Sequence, residues 1–155
     1  MRIAIGSDHA GVHLKEAIKT LLAEKGHAHH DFGCFDATPV DYPDIGCQVA
    51  EAVARGDFDQ GILVCSSGIG MCIVANKVAG IRAALCQDSF CARRSREHND
   101  ANVLCLGESV LGLGVAREVV ETYLSAQFQG GRHARRLEKI KALEESRGLP
   151  RKPSP

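Results

Sequence analysis

Cys65 is the first residue of this sequence whose position suggests chemistry. It follows an apolar run, residues 62–64 (Ile-Leu-Val), which predicts a strand buried on both faces. A loop of two serines and two glycines, within residues 66–70, comes directly after it. A thiolate at such a boundary can act as a nucleophile or a base, and the start of a following helix favours the charged form. The other interpretation is that Cys65 is a small core hydrophobe.

The loop itself, formed by Ser66, Ser67, Gly68, Ile69 and Gly70, predicts a backbone that comes close to a ligand. Its N–H groups and the helix start that follows suit a phosphate or a developing oxyanion. No Gly-Lys-Ser/Thr follows, so the loop is not a nucleotide P-loop, and the third glycine of a dinucleotide fingerprint is missing. A tight strand-to-helix turn with no ligand explains the same residues equally well.

Asp8 and His9 follow the first predicted strand, residues 2–6. Ligands of open parallel sheets bind outside the carboxyl ends of the strands, where the strand order reverses. A fold that places this strand beside strand 61–65 therefore gathers an acid, a histidine, a thiol and two hydroxyls around one crevice. This convergence is the strongest functional signal that the residues give.

Two further groups of polar residues have both a functional and a structural interpretation. His98 can carry a proton near neutral pH and Asn99 can donate to an oxygen, although both residue types also cap helices and form turns. Arg132 and Arg136 are four residues apart and share one helix face, which suits phosphate binding. A solvated basic face is the more common use of such a pair.

Apolar runs that alternate with helical patterns must position these residues. The runs predict strands at 2–6, 28–32, 61–65, 81–86 and 102–106. Helices are predicted at 14–22, 45–55, 70–77, 89–97 and 113–126, with a C-terminal helix from residue 132. The pattern indicates one α/β domain at 1–147 with a Rossmann-like, five-stranded parallel sheet, flanked by helices, in the flavodoxin-like order 2-1-3-4-5. A proline-marked loop is predicted at 37–44 and a disordered tail at 148–155.

Composition excludes several classes of function. The 155 residues include 19 basic and 19 acidic ones, so no global field attracts nucleic acid or an anionic membrane. No apolar run approaches the ~20 residues of a membrane span, and no secretory signal is evident, which predicts a cytoplasmic protein. The seven cysteines contain no Cys-x-x-Cys pair, and core packing is predicted for the six other than Cys65.

Taken together, these residues resemble the ribose-5-phosphate isomerase B family, which also includes isomerases of allose 6-phosphate and galactose 6-phosphate. The resemblance rests on IAIGSDHAG near the start, DYPD at 41–44, GILVCSSGIGMCIVANKVAGIRAA in the middle, SREHNDANV at 95–103 and GGRHARRLEKI at 130–140. These segments occur in order and cover nearly the whole chain to about residue 147. The resemblance implies a homodimer with active sites at the subunit interface, and interconversion of aldose and ketose phosphates without metal or organic cofactor. The sequence leaves open whether two such dimers form a tetramer.

The resemblance also implies a role for each candidate residue. Cys65 would be the base that moves a proton between C2 and C1, and Ser67 would handle the proton on the substrate oxygen. The backbone of 66–70 would hold the enediolate, and His98 would open the furanose ring. Sugar oxygens would be contacted by Asp8 and Asn99. The phosphate would be bound by His9, Arg132 and Arg136, with the two arginines reaching the site of the partner subunit.

One departure from the family pattern concerns the substrate. Many of these isomerases carry an arginine two residues after the glycine that ends the fifth strand, whereas Glu108 and Ser109 follow Gly107 in this chain. A six-carbon substrate such as allose 6-phosphate is therefore an alternative to ribose 5-phosphate. A flavodoxin-like binding module and a thiol redox sensor built on Cys65 are alternatives of another class. The lack of Trp and the presence of only two Tyr argue against a flavin site.

Overall fold

The computed structural model describes residues 1–146, in which five parallel strands form one sheet. The strands are β1 (Arg2–Ser7), β2 (Ala28–Asp31), β3 (Gln60–Cys65), β4 (Ala83–Leu85) and β5 (Val103–Gly107). Residues of β1, β3 and β5 are almost all buried, because helices cover both faces of the sheet. This explains why their sequences are continuous apolar runs without alternation. The predicted tail at 148–155 lies outside the described residues.

The order of the strands is β2-β1-β3-β5-β4, so the predicted order 2-1-3-4-5 is wrong in its last two strands. The physical reason is burial. All five residues of β5 are buried, which requires a neighbour on each side, whereas β4 has three half-buried residues and forms the edge. The reversal between β1 and β3 is as predicted, and β5 now pairs with β3 from Gly61↔Val103 to Cys65↔Gly107.

Six α-helices surround the sheet within residues 1–146. They are α1 (Val12–Glu24), α2 (Tyr42–Ala54), α3 (Ile69–Ala75), α4 (Ser89–Asn99), α5 (Leu113–Ser125) and α6 (Arg132–Ser146). The core on one face is shared by α1, α4 and α5, and the core on the other by α2 and α3. The parallel sheet flanked by helices and the C-terminal helix are therefore confirmed. Helix α6 contacts α4 and buries a single residue, His133.

Two local predictions need correction. The loop predicted at 37–44 is shorter, because α2 already begins at Tyr42; Pro43 is accepted in its first turn, where no N–H is needed. Core packing of six cysteines holds for Cys34, Cys86 and Cys105, which are buried. Cys47 and Cys72 are half-buried, and Cys91 is exposed in the first turn of α4. Within residues 1–146 no helix has both the length and the apolar character needed to cross a membrane.

Candidate active site

Cys65 is the last residue of β3, and its side chain is 6 % exposed. The N–H of Gly68 donates to its Sγ at 3.0 Å, so the loop folds back over the sulfur. This turn requires glycine. The φ of Gly68 is +79°, and an added Cβ would lie 2.5 Å from Cδ1 of Leu85 and 2.9 Å from the carbonyl carbon of Leu106. The loop and the thiol therefore form one unit at the carboxyl edge of the sheet.

The end of β5 fixes the first half of this loop. The N–H of Glu108 donates to the carbonyl oxygen of Cys65 at 2.9 Å, and the N–H of Ser109 donates to that of Ser66 at 3.0 Å. The hydroxyls of Ser66 and Ser109 are hydrogen-bonded to each other at 3.1 Å. Beyond them, the hydroxyl of Ser67 accepts the N–H of Ile69 at 3.3 Å. The backbone that follows Cys65 is thus held in place from β5.

Asp8 lies beside this unit at the end of β1. Its N–H donates to the carbonyl oxygen of Val64 at 3.3 Å, and its Oδ1 accepts the N–H of Ala10 at 3.0 Å. The side chain is buried, and burial raises the pKa of its carboxyl, with the negative charge of Glu108 adding to the effect.

His9 is exposed next to Asp8 and opens a short 3₁₀ turn, His9–Gly11. Its Nδ1 accepts the N–H of Val40 at 3.3 Å, so the proton of the neutral ring lies on Nε2. Together with Cys65 and the 66–70 loop, Asp8 and His9 surround the point where the strand order reverses, between β1 and β3. The predicted convergence of the two strand ends is thus present in the fold.

His98 and Asn99 do not join this group within one chain. They form the last turn of α4, which leads into β5, and therefore lie at the amino edge of the sheet. Val103, the first residue of β5, pairs with Gly61, whereas Gly107 pairs with Cys65. Four residue steps separate these two levels, which is ~13 Å along a strand. A substrate at Cys65 is therefore out of reach of His98 from the same chain.

A cationic cluster surrounds His98 at that amino edge. The rings of His98 and His133 are stacked with centroids 4.1 Å apart, and Nη1 of Arg94 lies 3.2 Å from Nε2 of His98. Burial lowers the pKa of His133, and the charges of His98, Arg132, Arg136 and Arg94 lower it further. Arg132 and Arg136 are exposed in the first turns of α6. Two of the three side chains predicted to bind phosphate, Arg132 and Arg136, are thus grouped with His98 and separated from Cys65, whereas His9 lies at the same edge as Cys65.

A family model described as Ribose/Galactose Isomerase matches residues 3–140. The chain belongs to this family. It is 47% identical to "Ribose-5-phosphate isomerase B" of Escherichia coli over 146 residues, which are 94% of this chain and 98% of that protein. It is 46% identical over 143 residues to "D-erythrulose-4-phosphate isomerase" of Pectobacterium atrosepticum, covering 90% of this chain and 93% of the relative.

Solved structures of the family share this fold. In the structure of ribose-5-phosphate isomerase B from Clostridium thermocellum the superposition gives a TM-score of 0.94 at 54% identity, with 95% of this chain and 99% of that chain covered. The type B ribose 5-phosphate isomerase of Trypanosoma brucei gives a TM-score of 0.90 at 51% identity, with 92% and 98% covered. The family relationship thus extends over nearly the whole of both chains.

Three residues that lie against the 66–70 loop were not among the predicted site residues. Glu108 and Ser109 reach the loop because β5 lies next to β3. They were missed because the strand order was predicted wrongly. The ring of Tyr42 lies against the loop, 2.8 Å from where a Cβ on Gly70 would stand. Tyr42 gave a signal only as part of the DYPD segment. No group of His, Cys, Asp and Glu among the described residues has a metal-binding arrangement.

Proposed function

We propose that the protein interconverts ribose 5-phosphate and ribulose 5-phosphate, with Cys65 as the base. The observation that carries the proposal is the position of the Cys65 sulfur, which accepts the Gly68 N–H beside Asp8 at the reversal of the sheet. Membership of the isomerase family supplies the reaction class. The relatives from E. coli and C. thermocellum are named for this substrate.

The proposed chemistry is a proton transfer within one sugar. The thiolate of Cys65 removes the proton from C2 of the open-chain aldose, the C–H electrons form a C1=C2 double bond, and the carbonyl oxygen becomes an oxyanion. The thiol then returns the proton to C1 while the C2 hydroxyl loses its own and becomes the ketone. Ser67 passes the proton between the two oxygens, and the backbone N–H groups of the 66–70 loop stabilise the enediolate.

The remaining proposed contacts need two chains. Asp8 hydrogen-bonds a sugar oxygen, and His9 contacts the phosphate, both from the chain that carries the base. His98 opens the furanose ring and Asn99 holds a sugar oxygen, both from a partner copy. Because His98 precedes the start of β5, and that start lies ~13 Å along the strand from the level of Cys65, we propose a homodimer whose sites combine the two edges. The partner's Arg132 and Arg136 complete the phosphate site.

We propose that the reaction needs neither metal nor organic cofactor, because the Cys65 thiolate supplies the base and the N–H groups of the 66–70 loop stabilise the enediolate. The proposed partners are the sugar phosphate and a second copy of this chain, with no nucleic acid and no membrane. We place the enzyme in the cytoplasm, where the sugar phosphates of central metabolism are found, and assign residues 1–147 to a single isomerase domain.

Ser109 supports a second substrate. Where an arginine is common in the family, its hydroxyl is bonded to that of Ser66, so this part of the site offers a neutral group. A six-carbon substrate such as allose 6-phosphate is the alternative. Comparison of kcat/KM for the two substrates separates them, and a clear preference for the hexose would refute the ribose assignment.

The test of the base is the conversion of ribose 5-phosphate in the presence of EDTA by the parent and by Cys65→Ala. We expect the variant to lose activity by roughly 100-fold or more, because the proton-transferring group is gone. Cys91→Ala, which removes an exposed thiol of α4, should leave the rate unchanged. Turnover that survives Cys65→Ala would assign the proton transfer to another residue, and an inert parent would refute the proposed substrate.

A further inference from the structure

The side chain of Glu108 accepts a hydrogen bond at the N-terminus of α1, a helix distant in sequence. Its Oε2 accepts the N–H of Leu14 at 2.9 Å, across 94 residues of sequence. Leu14 is the third residue of α1, whose own N-cap is Gly11 and has no side chain to offer. A carboxylate that accepts a first-turn N–H satisfies a group that otherwise has no partner in the helix, and it complements the helix dipole.

The same residue connects the helix to the strand that ends in Cys65. The backbone N–H of Glu108 donates to the carbonyl oxygen of Cys65 at 2.9 Å. The start of α1 is also pressed against β3, since a Cβ on Gly11 would lie 2.8 Å from the carbonyl carbon of Val64. Glu108 thus joins three elements, β3, β5 and α1, at the point where they meet, and the Asp8–Gly11 turn lies between them.

The charge of Glu108 acts on the buried carboxyl of Asp8. Burial is the main cause of the raised pKa of Asp8, and the negative charge of Glu108 raises it further. His9 and the N–H of Ala10 act in the opposite direction. Of the two charged side chains that shift the pKa of Asp8, Glu108 is therefore the one that raises it.

We propose that Glu108 is a positioning residue of the active site, which holds the Asp8–Gly11 turn against the ends of β3 and β5 and occupies the α1 N-terminus in place of an external anion. An open helix N-terminus at the end of a parallel strand is an anion site, and the switch point offers one at α1. With a protein carboxylate in that place, the phosphate of the substrate is directed to other groups of the site.

Two variants separate the hydrogen bond from the charge. The amide oxygen of Glu108→Gln still accepts the Leu14 N–H, so hydrogen exchange of that amide and the Tm should stay near the parent. The loss of negative charge should move the titration of the Asp8 carboxyl, followed by ¹³C NMR, to lower pH. Insofar as the proposed function holds, the acid limb of the kcat/KM profile should move in the same direction.

Glu108→Ala removes both interactions. We expect exchange of the Leu14 amide to become about 5- to 10-fold faster, as for the loss of a helix cap. The kcat/KM should fall about 10-fold because the turn that carries Asp8 and His9 is no longer held in place. Inorganic phosphate should now shift the Leu14 amide resonance at millimolar concentration, which it should not do in the parent.

Glu118→Gln is the matched control, because this exposed glutamate lies one helix turn into α5 and away from the site. Unchanged Leu14 exchange in Glu108→Ala, or an unchanged Asp8 titration in Glu108→Gln, would refute the role. The exchange, titration and phosphate measurements need no turnover. An inactive parent would therefore refute the proposed substrate and leave the test of Glu108 intact.

Discussion

A mixed dimer of two inactive variants should recover activity if the site combines two chains. Cys65→Ala removes the proposed base and His98→Ala removes the proposed ring-opening group. Proton-transferring side chains must come within about 3.2 Å of the sugar, yet Cys65 pairs with Gly107 at the end of β5, whereas His98 precedes Val103, the start of β5, ~13 Å away along the strand. One chain cannot supply both, so each site must take its second group from the partner.

Two-fold symmetry gives the size of the recovery. A dimer of one Cys65→Ala chain and one His98→Ala chain has one site that lacks both groups and one that is intact. With different affinity tags on the two chains, the mixed dimer is purified by both tags in sequence. Its rate with ribose 5-phosphate should be about half that of the parent dimer, whereas each variant alone should be at least roughly 100-fold slower.

A mixed dimer of Cys65→Ala with Ser67→Ala is the matched control. Both residues belong to the same edge of the sheet, so each site of this dimer contains one defect and no activity should return. Recovery in the control pair would show that the tags or subunit exchange mislead the assay. If the Cys65→Ala and His98→Ala pair stays inactive while its dimer is intact, the division of the site between two chains is refuted.

Two further predictions concern the Gly68 turn and the ion pair of Asp31 with Lys15. Gly68→Ala should abolish most activity while the protein still folds, since the new Cβ would lie 2.5 Å from Leu85 at a φ of +79°; circular dichroism and the isomerase rate measure the two effects, and full activity would contradict the geometry. Burial would raise the pKa of Asp31, but Lys15 and Lys19 lower it overall, so its stabilisation is fully present above the ordinary carboxyl pKa and is lost as pH falls through the lower folded value. Urea unfolding should therefore show that the parent loses stability below about pH 4. Lys15→Met, which removes the buried partner of Asp31 at 2.8 Å, should cost about 3 kcal/mol of stability at neutral pH and weaken this acid dependence. Equal acid dependence in both proteins would refute the assignment.

The sequence predicted the helices and strands more accurately than the order of the strands in the sheet. Continuous apolar runs identify buried parallel strands, and the order in which β1 and β3 are followed by Asp8 and Cys65 is enough to predict one crevice. The strand beside β3 is the more completely buried of β4 and β5. The apolar residues of 81–86 and 102–106 are too similar to show which of the two that is. Only the fold shows that all five residues of β5 are buried.

The correct strand order is also what brings Glu108 and Ser109 to the site. Both follow Gly107, and Gly107 pairs with Cys65. An added Cβ on Gly107 would lie 2.7 Å from the carbonyl carbon of Ser67, so the two strand ends are in close backbone contact. With β4 in that position, as predicted, these two residues would stand one strand away from the loop. A single error of strand order therefore removed two residues from the predicted site.

The division of the proposed site between two edges of the sheet follows from chain direction. In a parallel sheet, residues that follow a strand lie at its carboxyl edge, and residues that precede a strand lie at its amino edge. Cys65 follows β3, whereas His98 precedes β5. Helix α5 runs back from the carboxyl edge to the amino edge. The N–H of Gln129, between α5 and α6, donates to the carbonyl oxygen of Glu97 at 3.0 Å, which places α6 and Arg132 at the amino edge as well. In the proposed mechanism a base on one edge and cations on the other act on one substrate, which a second copy makes possible by presenting its opposite edge; this is the reason why we propose a dimer.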